Sequence, residues 1–255
     1  MTNDLARRLA AHGIDVPRLD PLSPMGAGVT VLGFACAGEE APAWWRSLRA
    51  VSEHTGYWPL LVESDRSVFL ADPLAAEVDV AAGPVQRLAQ AAELDSTQVL
   101  NPRGMTLDSL GDDQRQELLE EWPDEPHRID GFSLPFARSG QPRPTLVALV
   151  AAEHGWQVPA LLGYGNWNQC PAPAVHSAVL RHWQHHYGAD LVCMTSTSIE
   201  LAVARPPRTR PAALAFAWEY ASYCLDSVDG IYRADNLAGL AASLIDAEVV
   251  VAWWD

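Results

Sequence analysis

The chain contains no lysine. All 17 of its basic residues are arginine, set against 32 aspartates and glutamates, for a net charge of −15. A field of that sign repels nucleic-acid backbones and anionic membrane surfaces, so neither is expected as a partner. It keeps the protein soluble and favours a basic protein partner. Cysteine is scarce as well. The four thiols, Cys36, Cys170, Cys193 and Cys224, form no C-x-x-C pair, which leaves no disulfide framework and no zinc cluster to read. They read as free, mostly buried thiols of a reducing compartment. No apolar run reaches the roughly 18 residues of a membrane span. The start, Met1-Thr2-Asn3-Asp4, lacks the basic-then-apolar order of a signal peptide. The expected location is the cytoplasm. A G-x-S-x-G serine motif and a phosphate-binding loop are both missing, and no cofactor is expected.

What is present is ample core material, 49% hydrophobic residues in 255. Helices are predicted near Asp4–His12, Ala43–His54, Pro84–Leu94 and Asp112–Trp122. Strands are predicted at Val29–Phe34 and Tyr57–Val62, where Pro59 marks an edge strand or a strand start. Prolines 123, 126, 135, 142 and 144, with Gly131 and Gly140, give residues 123–144 the composition of a linker or arm. The boundary is drawn there: an N-terminal α/β region over 1–122, the arm over 123–144, and a C-terminal α+β domain over 145–255. The second half reads as strand 145–150, an antiparallel neighbour at Trp156–Tyr164, and helix Ala174–Tyr187. A hairpin through Thr197-Ser198, helix Pro211–Asp226, a helix from Asp235 or Asn236, and a Val-rich last strand follow. The economical architecture is α+β: a mostly antiparallel sheet with helices packed on one face, plus a smaller N-terminal α/β region. A loose echo, helix–Gly–strand at 43–62 and again at 174–193, reads as a shared turn.

Helix Pro211–Asp226 is the most informative element. It is apolar nearly all round, as buried helices are, yet it carries Glu219 and Asp226 on one narrow strip beside Tyr223. Carboxylates there need water, an arginine such as Arg205 or Arg181, or a functional site. In the last case they are the weak catalytic candidates, with His182 from the neighbouring helix. His182 and His186 stand at i, i+4, a spacing that lets two imidazoles share a metal, but no third ligand follows nearby. His-x-x-His-His at a helix end also complements its dipole. Tyr164, Asn166 and Trp167, in Gly-Tyr-Gly-Asn-Trp-Asn, are aromatic and amide groups suited to binding in a loop. Cys224 among apolar residues reads as inert.

Four separated stretches occur in one order: Trp183 with Tyr187-Gly188-Ala189-Asp190, then Ala202-Val203-Ala204-Arg205-Pro206-Pro207, then Ala217-Trp218-Glu219-Tyr220 with Cys224-Leu225-Asp226, and finally Trp253-Trp254-Asp255. Through them the C-terminal half resembles the bacterial domain-of-unknown-function family 4253, in its actinobacterial type. The resemblance implies a domain and no activity. The residues favour a non-catalytic binding module, in its specific version an immunity-type protein that masks a basic partner. The alternatives are an acid–base or hydrolytic enzyme using Glu219 and Asp226, and a small-ligand-binding module. Oligomeric state is left open.

Overall fold

A computed structural model describes residues 2–22, 29–64, 82–101, 109–136 and 139–255. The first helix, α1 (Thr2–Ala11), buries Leu5 and Leu9. The short β1 (Asp20–Pro21) and β2 (Val31–Cys36) follow. Helices α2 (Ala41–Ala50) and α3 (Ser52–Thr55) lead to β3 (Trp58–Glu63). After α4 (Pro84–Glu93), α5 (Ser96–Leu100) and α6 (Asp112–Glu120) comes β4 (Thr145–Val150). The later elements are α7 (Val158–Leu162), α8 (Pro173–Tyr187), β5 (Ala189–Met194) and β6 (Ser198–Val203). The chain closes with α9 (Arg210–Tyr223), α10 (Asp226–Gly230), α11 (Leu237–Leu244) and β7 (Val249–Trp253).

The strands form one sheet in the order β1-β2-β4-β3-β5-β6-β7. Every pairing is antiparallel except β3 with β5, so the fold is α+β with a mostly antiparallel sheet. The stretch 123–144 therefore does not separate two sheets. β4, the first strand after it, lies between β2 and β3, and β3 in turn joins β4 to β5. A strand from the first half, β3, thus sits inside the sheet that the C-terminal half completes. All six residues of β4 are buried, which requires cover on both faces.

Pro59 falls next to the start of an interior strand, not on an edge. The β3–β5 ladder registers only at Leu61 with Cys193, so the missing N–H of Pro59 interrupts no bond to β5. Its carbonyl accepts from Trp45 Nε1 at 3.1 Å. The two helix–Gly–strand units lie side by side through this parallel pair. Gly56 and Gly188 both take left-handed conformations (φ 70° and 62°) where a helix must turn into a strand. The salt bridge Arg49–Asp190, 2.8 Å, ties α2 to β5.

The predicted strand at Trp156–Tyr164 is a 3-10 turn, Gly155–Gln157, followed by α7. A short apolar run fits either state. Here Pro159 suits a helix's first turn and Gly163 its end, and Ser177 Oγ accepts from Ala160 N at 3.1 Å.

Edge strand β7 presents little free backbone. The hydroxyl of Tyr220 donates to Val251 O, and Val251 N donates to the Tyr232 hydroxyl at 3.1 Å. Trp253 N donates to Ser227 Oγ at 2.6 Å, and Cys224 Sγ donates to Trp253 O at 3.1 Å. Side chains thus block the strand addition that an open edge invites.

The arm is pinned by one buried carboxylate. Glu200, on β6 and 1% exposed, accepts from Ser133 N (2.9 Å), Ser133 Oγ (2.5 Å) and Leu134 N (3.1 Å). Arg143 holds the same turn by donating to Leu134 O at 2.8 Å.

Candidate functional site

Helix α9 starts where Thr209 caps Ala212 N, and it ends at Tyr223, three residues short of the predicted Asp226. Cys224 leaves helical geometry because its thiol and the nearby Ser227 hold Trp253. Asp226 begins α10 and accepts from Asp255 N at 3.2 Å. Glu219 and Asp226 therefore lie on different helices, α9 and α10, and not on one continuous strip.

Glu219 turns toward α8. Its Oε2 accepts from Trp183 Nε1 at 3.0 Å, and its Oε1 lies 3.4 Å from His182 Nε2. Burial, with the negative Glu219 nearby, pushes the Tyr187 ionisation up. Neither predicted arginine pairs with Glu219 in these contacts: Arg181 donates to Ala91 O and Arg205 to His185 O. Trp183 is fully buried, so its indole N–H needs an acceptor, and Glu219 supplies one. Replacing Glu219 by Gln keeps an acceptor and removes its charge. The expected cost is about 1–2 kcal/mol, the margin between charge-assisted and neutral hydrogen bonds, read from a denaturant melt. A variant as stable as the parent would remove Glu219 from the role of structural acceptor.

The His182 and His186 rings lie tilted with centroids 4.0 Å apart, but His186 Nδ1 donates to His182 O at 2.9 Å. Among the described residues no group of three or more His, Cys, Asp or Glu side chains could hold a metal ion.

Tyr223 and Tyr164 face the interior, about a ring that the sequence reading did not single out. His176 is completely buried between the Tyr223 hydroxyl, 2.6 Å from its Nδ1, and Cys170 Sγ, 3.3 Å from its Nε2. Tyr164, Tyr223 and Trp254 pack around it with ring centroids 5.2–5.6 Å away. Burial pushes the His176 pKa down to about 3 and the Cys170 thiol up, so both are neutral near pH 7. A buried thiol of raised pKa is a poor nucleophile, and the cluster is a packed hub linking α8, α9 and the C-terminus. Asn166 and Asn168 adopt positive φ in the loop that wraps it, and Asn168 Nδ2 donates to Asp255 O at 2.8 Å. Trp167 stands edge-on to Tyr164. Of the loop residues read as a binding set, Tyr164 and Trp167 pack at the hub and Asn166 shapes the turn. No spacing signal links His176 to Tyr223, which lie 47 positions apart.

The concavity lies elsewhere. A hollow of about 930 Å³, open to solvent, is lined by Trp45, Phe132, Phe136, Ala202 and Pro206, with Arg46 exposed among its lining. Asp130, Asp246, Glu248 and Val249 also line a neighbouring hollow of about 240 Å³. Through Ser243 that one adjoins a third, of about 170 Å³. Together they make a trough between residues 121–132 and residues 232–249. Arg128 clamps the wall by donating to Ile245 O at 2.6 Å, and the Arg210 guanidinium lies 4.8 Å over Trp122. Asp246 takes a left-handed φ of 53° where the chain turns from α11 toward β7. The two narrow hollows carry six exposed carboxylates, Glu121, Glu125, Asp130, Asp235, Asp246 and Glu248, against the cations Arg128 and Arg233.

Residues 146–255 match the domain of unknown function DUF4253. No curated protein and no solved structure matches the chain. The DUF4253 segment holds the His176 hub, Glu219 and the wall of the trough at 232–249. The wall at 121–132 and helix α2 precede it. Strand β3 also precedes it, yet lies between its strands β4 and β5. The trough thus forms where the DUF4253 segment meets the residues before it.

Proposed function

We propose that this protein is a non-catalytic binding module of the cytoplasm whose acidic trough receives a basic segment of a partner protein. The observation that carries the reading is the trough itself: six exposed carboxylates line two linked hollows that open into a larger aromatic one. A net charge of −15 adds a long-range field that speeds encounter with a basic surface. Covering such a surface on a nuclease would be the immunity-type version. The acid–base alternative would rest on Glu219 with His182, 3.4 Å away, because Asp226 meets a different partner. No helix among the described residues is long and apolar enough to cross a membrane.

The test is calorimetric titration with an Arg/Gly peptide and with an Asp/Gly peptide of the same length. The basic peptide alone should bind. Asp130→Asn, Asp246→Asn and Glu248→Gln together should weaken it by about tenfold or more, at some tenths to 1 kcal/mol per exposed charge. High salt should weaken it similarly. Equal binding of both peptides, or of neither, would sink the proposal.

A further inference from the structure

We infer that the occupant of the trough carries one large apolar residue at an end of its basic run, seated in the hollow among Trp45, Phe132 and Phe136. This rests on the reading of the trough as a site for a basic segment, and adds to it a sequence requirement on the partner.

The hollows differ in chemistry as well as size. In the large one several ionic groups are already matched, and Arg208 Nε lies 3.9 Å from Asp246 Oδ1. Arg49 Nε donates to Asp190 Oδ2 at 2.8 Å, and Gln184 Nε2 to Asp190 Oδ1 at 2.9 Å. The Trp45 indole N–H is likewise spent on Pro59 O. Beside the exposed charged groups of the lining, the ring surface left for a ligand is that of the half-buried Phe132 and Phe136, with the buried Trp45 behind Phe132 at 6.4 Å between centroids. A volume of about 930 Å³ accommodates an aromatic side chain with its backbone. The carboxylates Asp130, Asp246 and Glu248 line both the large hollow and its narrow neighbour. A residue seated in the large hollow therefore places its chain neighbour directly at the acidic stretch. On the α2 side the exposed Arg46 disfavours a second basic run, so the charges belong on one side of the anchor. An aromatic anchor gains cation–π contact with the same guanidinium.

The experiment uses the full chain and four peptides of equal length in calorimetric titrations. Three share one Trp and the same Arg/Gly content, with Trp at the N-terminal end, at the C-terminal end or in the centre. The fourth has Gly for Trp. One end-placed Trp peptide should bind about tenfold tighter than the Gly peptide, as buried aromatic anchors do. The central Trp peptide should gain little. Phe132→Ala with Phe136→Ala should remove the Trp gain and leave Gly-peptide binding unchanged. Ala202→Trp, which fills the hollow without removing a wall, should do the same and covers the case where the double variant misfolds. If the Trp and Gly peptides bind equally, and both weaken in the Asp130/Asp246/Glu248 variant, the acidic trough stands and the anchor falls. Equal gain from central and end-placed Trp overturns the one-sided order. If no basic peptide binds, both readings fall.

Discussion

Deletion of residues 248–255 is expected to abolish cooperative unfolding. The loss is more than one edge strand. Val250 and Ala252 are buried in the core, and Trp254, 1% exposed, closes the His176 hub edge-on to His176 and Tyr223. Without β7, Tyr220, Tyr232 and Ser227 lose backbone partners that satisfy them in the interior. The open edge of β6 would also be left to pair with another chain. Trp254→Ala alone should cost about 3–5 kcal/mol, typical of a large aromatic removed from a core. Adding the strand exceeds the ~5–15 kcal/mol that holds an average domain together. The truncated chain should keep far-UV helical signal, lose near-UV tryptophan signal and bind a hydrophobic dye, in place of one sharp calorimetric transition. A truncated protein that melts within a few degrees of the parent would show that β7 is dispensable to the core.

That strand was readable in advance, and the reason is local. Val249-Val250-Val251-Ala252-Trp253 is β-branched, follows an amphipathic helix and needs no distant partner to be recognised. The same holds for α8 with its Gly188 stop, and for the β5–β6 hairpin. It holds too for α11, where Asn236 caps Gly239 N at 2.8 Å. Failures came where tertiary contacts decide. Asp226 continues the helical periodicity of α9, yet Cys224 leaves helical geometry where its thiol and Ser227 of α10 hold Trp253. The 123–144 stretch has linker composition, but strand pairing across it, not composition, sets the sheet. Glu219 was legible as a carboxylate needing a partner. That the partner is an indole on α8 was not, because tryptophan gives no periodic sign of where its N–H points. The trough was invisible for a similar reason. Its acids at 121–130 and 235–248 are an ordinary solvated pattern until the fold lays them on facing walls.

Glu200 is the second place where a single change should have a large effect, and its pH dependence has a definite sign. Alanine at this position orphans the buried Leu134 N–H and frees Ser133, at about 2–5 kcal/mol for donors left unsatisfied. Glutamine retains the shape but sets an NH₂ against one of these donors, and should cost about 1–3 kcal/mol. Burial raises the Glu200 pKa, partly offset by the bonds from Ser133, Cys193 and Leu134. The folded state therefore binds this proton more tightly than the unfolded state. Its contribution to stability is full below the ordinary value of 4.5 and falls as pH rises from there through the raised folded value. The other acidic groups titrate in both proteins, so the quantity to measure is the difference between the parent and Glu200→Gln. That deficit should be widest at the acidic end and narrow as pH rises through this window. A deficit that widens with pH would mean the carboxylate is favoured as the anion, and that the three donors outweigh its burial. Because Phe132 and Phe136 flank the pinned residues, the alanine variant should also lose the peptide preference for an end-placed Trp at temperatures well below its melt. Retention of that preference in a destabilised Glu200→Ala protein would show that the arm holds its place without the carboxylate.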